Sequence, residues 1–389
     1  MPGSIKDKVA IIGMGCTRFG ELWGKGPGDL VVEAVSDACD DARVEVKDIE
    51  AAWVGTLFSG MGGRTISEPL KLQYIPVTRV ENACGSGQEA LRGAAYAVAA
   101  GVYDVCLAVG VEKLKDEGSS GLPGMQNRTG THYESTPPGM FAMMATTYFK
   151  RYGLSPQEGK TMLAKISVKS HHNGMLNPKA HLRREITVEQ VLSAPIIAWP
   201  LGLFDCCGVS DGAAAAIVTR ADMAKKFRPD PVYIKSLQIS ASPTSGRMVS
   251  SYDYTHVEEA FRGGMAAYRE AGIKEPRKEI SMAEVHDCFS ITEAVTMEDL
   301  QFSPRGRVKE DIEAGTFNLD GKLPVQTDGG LKCFGHPIGA SGIRMVYELY
   351  LQLQGRADKR QIRNPKLGLA HNMGNEPYAP VVSLCIVGL

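Results

Sequence analysis

Residues 79–95 read Arg79-Val80-Glu81-Asn82-Ala83-Cys84-Gly85-Ser86-Gly87-Gln88-Glu89-Ala90-Leu91-Arg92-Gly93-Ala94-Ala95. The apolar run from Tyr74 ends at Val80. Beyond the glycines, Ala90, Leu91, Ala94, Ala95, Val98 and Ala99 recur at helical spacing. The stretch predicts a strand, a tight turn and a buried helix, with Cys84 at the helix N-terminus. Backbone N–H groups left unpaired there lower a thiol's pKa, and the thiolate is the nucleophilic form. Small neighbours let a carbonyl approach, with backbone N–H groups turned toward it. An isolated cysteine is more often a buried structural residue. Here the Gly-Ser-Gly context and the motifs further along favour a nucleophile.

The chain has 389 residues, enough for two domains or a duplicated one. Its net charge of −1 gives no bulk attraction to nucleic acid or to an anionic membrane, and neither is expected as a partner. The basic clusters Arg183–Arg184 and Lys359–Arg363 are read as solvated faces. Nine cysteines, an odd number without paired C-x-x-C spacing, give no metal site and no disulfide framework. They fit a reducing cytoplasm. The apolar run Val9–Met14 is too short for a signal peptide, and no stretch approaches the length of a membrane span.

Alternating elements follow. Lys8–Gly15 reads as a buried strand, Gly28–Ala42 as a helix, Asp48–Phe58 as a strand, and Asp104–Val111 as another. Continuous apolar strands alternating with helices imply a covered α/β sheet. Residues 118–152, rich in Gly, Pro and Met, read as a long irregular insertion of the kind that forms lids. Helices are expected over 156–175 and 187–193, and a return to the sheet over Ala213–Thr219. From Pro231 the order restarts: strand Val232–Ile239, helix His256–Ala271, strand Ile280–Val285. Ala42–Phe58 matches Ala271–Phe289 in pattern. Gly335-His336-Pro337-Ile338-Gly339-Ala340-Ser341-Gly342, before an apolar helix over Ile343–Leu353, takes the place that Cys84-Gly85-Ser86-Gly87 holds earlier. Leu367–Ala370 and Val381–Val387 close the chain as strands. The pattern predicts a duplicated α/β unit whose two glycine-rich helix starts meet at one pocket.

Five stretches together resemble the thiolases, and among them the branch of sterol carrier protein X and the archaeal acetoacetyl-CoA thiolases. They are Val80–Gly87, Gly208-Val209-Ser210-Asp211-Gly212-Ala213-Ala214-Ala215, His286-Asp287-Cys288-Phe289, Gly329-Gly330 with Gly335–Gly342, and His371-Asn372-Met373-Gly374. The resemblance implies the thiolase fold: two duplicated βαβαβαββ halves in five layers (α-β-α-β-α) with an inserted loop domain. The corresponding boundaries are residues 1–117 and 194–228 for the first half, 118–193 for the insertion and 229–389 for the second half. It implies coenzyme A as a substrate, no permanently bound cofactor, and a homodimer or tetramer.

Carried over by residue, Cys84 resembles the nucleophile that takes the acyl group, and His336 the base that activates it. His286 resembles a holder of the thioester oxygen beside His336. Cys288 resembles the second, acid/base cysteine of this branch, because the C-terminal His371–Gly374 segment lacks one. Gly374 and Cys84 would offer backbone N–H groups to the acyl-enzyme oxygen. The chemistry asks for the same types: a thiolate with a base and an oxyanion site for thioester cleavage, and a second proton carrier for the carbon–carbon bond.

The expected activity is that of an acyl-CoA C-acyltransferase, cleaving a 3-oxoacyl-CoA with free CoA or running the reverse Claisen condensation. Candidate substrates extend to branched or aromatic esters such as benzoylsuccinyl-CoA. The alternative is a thiolase-like scaffold or retro-aldol lyase subunit acting with a small zinc-ribbon/OB-fold protein, a partner the resemblance implies in either case. A decarboxylating ketoacyl synthase is disfavoured by Cys288. Other residues are expected outside the chemistry: Cys206, Cys207, Cys333, Met140, Met143 and Met144 as packing, and His171, His172, His181 and His256 as surface histidines. Glu376 and Tyr378 are expected as surface turn residues.

Overall fold

The computed structural model describes residues 3–117, 136–243 and 252–389. The first half runs β1 (Val9–Cys16), α1 (Pro27–Ala42), β2 (Ala51–Gly55), α2 (Arg64–Ser67), β3 (Val77–Val80), α3 (Ser86–Ala99) and β4 (Val105–Glu112). An insertion follows, with α4 (Pro137–Arg151), α5 (Pro156–Met175), α6 (Val188–Leu192) and the hairpin β5 (Ile196–Ala198) and β6 (Leu201–Gly202). The chain then returns through β7 (Gly212–Arg220) and α7 (Ala224–Phe227). The second half runs β8 (Val232–Ala241), α8 (Glu258–Ala271), α9 (Pro276–Glu279), β9 (Met282–Glu284), α10 (Ser290–Asp299), α11 (Val308–Glu313), α12 (Gly330–Cys333), α13 (Ile338–Leu353), β10 (Leu367–Gly374) and β11 (Val381–Gly388).

Nine strands lie in the order β3-β2-β4-β7-β1-β8-β11-β10-β9. Read outward from the centre, the order repeats. The first half gives β1-β7-β4-β2-β3 and the second gives β8-β11-β10-β9, where Ala283 of β9 bridges Val325 as β2 pairs with β3. Directions repeat too: β2–β4 and β9–β10 are parallel, while β4–β7 and β10–β11 are antiparallel. Two antiparallel residue pairs, Ala10↔Tyr233 and Ile11↔Val232, join the halves.

The strands β1, β4, β7 and β11 are buried along almost their whole length because both faces are covered. Along β1, Val9 and Ile11 enter one core, while Ala10 and Ile12 enter another with Leu30, Val31, Ala34 and Val35 of α1. Helices α3 and α13 pack on each other and touch strands of both halves, which places them in the middle layer. Helix α1 covers the outer face of the first half, and α8 covers β8 and β11. These are the five expected α and β layers.

The insertion differs from its expected irregularity. Residues 118–135 of that reading lie outside the described residues, but α4 occupies 137–151. Thr136 caps it by accepting from the Gly139 N–H, and proline stands at its first position, where no N–H is needed. Met140, Phe141, Met144, Ala145, Tyr148 and Phe149 form its buried face. Glycine and proline content hid this spacing. Helix α13 also begins earlier than expected, at Ile338, inside the Gly-His-Pro motif. Among the described residues no helix is long and apolar enough to cross a membrane.

Candidate active site

Cys84 stands in a turn between β3 and α3. The Gly85 N–H donates to the Asn82 carbonyl (2.9 Å) and the Ser86 N–H to the Ala83 carbonyl (3.1 Å). The Ser86 hydroxyl donates to the Ala83 carbonyl (2.6 Å) and accepts from the Asn82 N–H (2.9 Å). Ala83 takes φ 47°, a left-handed conformation that favours glycine and costs an alanine on the order of 1–2 kcal/mol. The turn thus holds Cys84 in a fixed, strained geometry. Behind it runs Gly374 of β10: a Cβ there would lie 2.6 Å from the Asn82 carbonyl and 3.0 Å from the Cys84 nitrogen. Only glycine lets the β10 backbone come this close.

From the other half, α13 delivers His336. Its Nε2 lies 3.3 Å from the Cys84 sulfur, and its Nδ1 lies 2.7 Å from the Ser341 hydroxyl. The Ser341 hydroxyl gives its single proton to the Pro337 carbonyl (2.9 Å), so it must accept from His336. This assigns the ring proton to Nδ1 and leaves the Nε2 lone pair facing the thiol. His286 packs edge-on to His336 with ring centroids 5.3 Å apart. The Cys84 sulfur and one ring nitrogen from each histidine lie within 4.8 Å of one another. Cys288 lies buried at the same cavity, its sulfur 3.7 Å from the Thr292 hydroxyl.

The cavity measures about 290 Å³. Leu57, Met140, Phe141, Phe289, Ile338 and Met373 make most of its wall apolar. Burial dominates the titration of its polar groups. It pushes the Cys84 thiol up to about 12, with Cys207 and Glu112 adding to the rise. It holds His336 down to about 3, helped by the Arg344 guanidinium. His286 is held well below its usual value by burial and then by His336 and His371, and the Cys288 thiol is pushed up by burial and then by Cys84. The pair is therefore a neutral thiol beside a neutral imidazole. The helix N-terminus was expected to lower the Cys84 pKa; removal from water outweighs it.

All of the sequence-predicted site residues meet here: Cys84, His286, Cys288, His336 and the backbone of Gly374. Met140 packs as expected, against the cavity itself. Two expectations for other residues are corrected. Glu376 is buried and lines the cavity rather than forming a surface turn. His171 is buried, with Nδ1 3.0 Å from the Arg184 carbonyl. Arg183 and Arg184 line a second cavity of about 880 Å³ that shares Pro137 and Phe289 with the first.

Sequence reasoning passed over Glu112, at the end of β4. Its buried carboxylate accepts from the Thr56 and Ser59 hydroxyls and from the N–H groups of Leu57, Phe58, Ser59 and Gly339. It fastens the first turn of α13 to the loop after β2, across the two halves. A single Glu at a strand end carries no sequence signal of this.

Family comparison agrees with the geometry. The pattern described as "Thiolase, N-terminal domain" matches residues 9–222, and "Thiolase C-terminal domain-like" matches 241–384. The chain belongs to the thiolase family. An acetyl-CoA acetyltransferase of Methanothermobacter thermautotrophicus is 38% identical over 378 residues, 94% of this chain and 96% of the relative. Sterol carrier protein 2 of Gallus gallus is 31% identical over 386 residues, 94% of this chain and 70% of the relative. This thiolase is accordingly an acyltransferase. Its fold superposes on the solved Ltp2-ChsH2(DUF35) aldolase with a TM-score of 0.86, covering 99% of this chain and 98% of that one at 24% identity.

Proposed function

We propose that this thiolase cleaves a 3-oxoacyl-CoA with free CoA, or runs the reverse Claisen condensation, through an acyl-cysteine on Cys84. The observation that carries the reading is the Cys84 sulfur 3.3 Å from the His336 Nε2 lone pair, in a cavity shared with His286 and Cys288. Cys84 attacks the 3-oxo carbon while its proton passes to His336 Nε2. The N–H groups of Cys84 and Gly374 hold the oxyanion at that carbon. The C2–C3 bond then breaks. The acyl group stays on sulfur, and the departing enolate of the shortened CoA ester is held by His286 and His336. Cys288 gives its proton to C2. A CoA thiol enters, yields its proton to the Cys288 thiolate and takes the acyl group. Cys84 leaves and recovers its proton from His336.

The cavity favours an acyl group larger than acetoacetyl. It measures about 290 Å³, and the Phe141 and Phe289 rings line it. Branched and aromatic esters such as benzoylsuccinyl-CoA fit that description. All nine cysteines are unbonded, which supports a reducing cytoplasm. A homodimer or tetramer is part of the proposal, as is a small zinc-ribbon/OB-fold subunit. The latter gains support from the exposed apolar residues Ile196, Ile197, Trp199 and Leu203 on and beside the β5–β6 hairpin.

The test is CoA-dependent cleavage of short, branched and aromatic 3-oxoacyl-CoA esters, followed by mass spectrometry, with the chain alone and with added cell extract. Release of a shortened acyl-CoA from one class supports the reading and names the substrate. Failure of every ester under both conditions contradicts it.

A further inference from the structure

The 880 Å³ cavity beside the thiol pocket has a lysine at its floor. Lys332 is 2% exposed and rides on α12, four residues before His336. Its ammonium donates to the Ser290 hydroxyl (2.8 Å), which is a neutral acceptor. Ser290 in turn donates to Asp205 Oδ1 (3.0 Å), and Asp205 Oδ2 takes the Lys160 ammonium (2.7 Å). Asp205 is thus balanced by Lys160 and not by Lys332.

Three other lysines of the fold are comparably buried, and each has a buried carboxylate directly against it. Lys113 meets Asp211 at 2.8 Å, Lys160 meets Asp205, and Lys169 meets Glu293. Among the described residues no carboxylate lies within ion-pair distance of Lys332, and two of its three N–H bonds are open. The buried Asp287 carboxylate attracts Lys332 through space without touching it, and Asp205 reaches it only through Ser290, so no carboxylate occupies its open N–H bonds and an anion can.

The cavity around it matches that need. Arg183 and Arg184 stand at its rim, and no Asp or Glu is found among the described residues that line it. The Arg184 guanidinium lies over the Phe204 ring at 5.4 Å, which leaves its edge free for an anion. Pro137 and Phe289 are walls of both cavities, and the Cys207 N–H holds the Cys288 carbonyl at 2.8 Å, so the floor lies beside the reacting thiols.

We propose that this cavity binds an anionic group of the thioester substrate, with Lys332 at the floor and Arg183 and Arg184 at the rim. The group is a phosphate of CoA or a carboxylate on the acyl chain. The inference rests on the thioester reading above, and adds to it the side chains that hold the substrate's charge.

The test is calorimetric titration of the full chain with CoA, with neutral pantetheine and with succinyl-pantetheine, alongside mass spectrometry of Cys84 after exposure to the 3-oxoacyl-CoA esters of the cleavage assay. Unaltered protein should bind one of the two anionic ligands at least roughly tenfold tighter than pantetheine. Preference for CoA that Lys332→Met removes assigns the phosphate, and preference for succinyl-pantetheine that it removes assigns the carboxylate. Lys332→Met should bring the preferred ligand to within a few-fold of pantetheine. Arg183→Ala combined with Arg184→Ala, both on the surface, should do the same and covers a Lys332→Met protein that does not fold. Equal binding of all three ligands, or a preference that survives both variants, overturns the inference even where Cys84 is acylated. A preference lost in the variants while no 3-oxoacyl-CoA ester acylates Cys84 upholds the anion site and removes the thiolase mechanism instead.

Discussion

At the scale of single residues, the site stores its reactivity as a neutral pair. His336, held to about 3, stays unprotonated and able to accept the Cys84 proton across the ordinary pH range. An unperturbed histidine would lose that capacity below about 6.5. The expected pH profile of kcat/KM for acyl transfer is therefore flat from pH 8 to about 5, and an acid limb centred near 6.5 would contradict the assignment. The Cys84 thiol, pushed up to about 12, should react with iodoacetamide about tenfold faster per pH unit between 7 and 9, with no plateau. Cys288 separates from Cys84 by step. Cys288→Ala should still form the acyl-enzyme yet lose carbon–carbon bond formation by about 10²–10⁴-fold, the usual worth of a placed proton carrier. Equal loss of both steps would deny it that role. Cys84 and His336 were legible because small residues and glycines flank them at a helix start. Their neutral state was not, since it depends on how much chain covers them. Lys332, Ser341 and Glu112 were illegible for a related reason: each acts through a partner distant in sequence or through a cavity wall.

At the scale of elements, the site depends on how closely α3 and α13 approach. A Cβ on Gly87 would lie 2.6 Å from the Gly339 carbonyl, so the helices meet backbone to backbone. Gly87→Ala must push them apart. The expected cost is about 1–3 kcal/mol of stability, read from the denaturation midpoint. Because the turns that hold Cys84 and His336 lead directly into these helices, the loss of acyl transfer should exceed what the unfolded fraction explains. A variant of native stability and full activity would show that this contact does not set the pair. The helical stripe of α1 announced itself in the sequence because Leu30, Val31, Ala34, Val35 and Ala38 form one apolar face. Helix α4 did not, because its Pro137-Pro138-Gly139 start resembles a loop until Thr136 is seen to cap it.

At the scale of the whole molecule, the duplication has a consequence for folding. The repeat was weak residue by residue but visible in element order, which strand direction and sheet order make plain. We propose residues 1–117 with 194–228 as one half and 229–389 as the other, with 118–193 inserted. Helix α13 of the second half packs on β4 and β7 of the first, and Glu112 of the first half holds Gly339 of the second. The halves should accordingly melt together, in one calorimetric transition; two well-separated transitions would contradict this. Each half also supplies only part of the site, Cys84 from one and His286, Cys288 and His336 from the other. The most direct test of the account is intact-protein mass spectrometry after brief exposure to a turned-over acyl-CoA, followed by peptide mapping. One acyl group per chain is expected on Cys84, absent from Cys84→Ala and slowed by about 10²–10⁴-fold in His336→Ala. Turnover of the same ester by Cys84→Ala, or an acyl group carried on another residue, would contradict it.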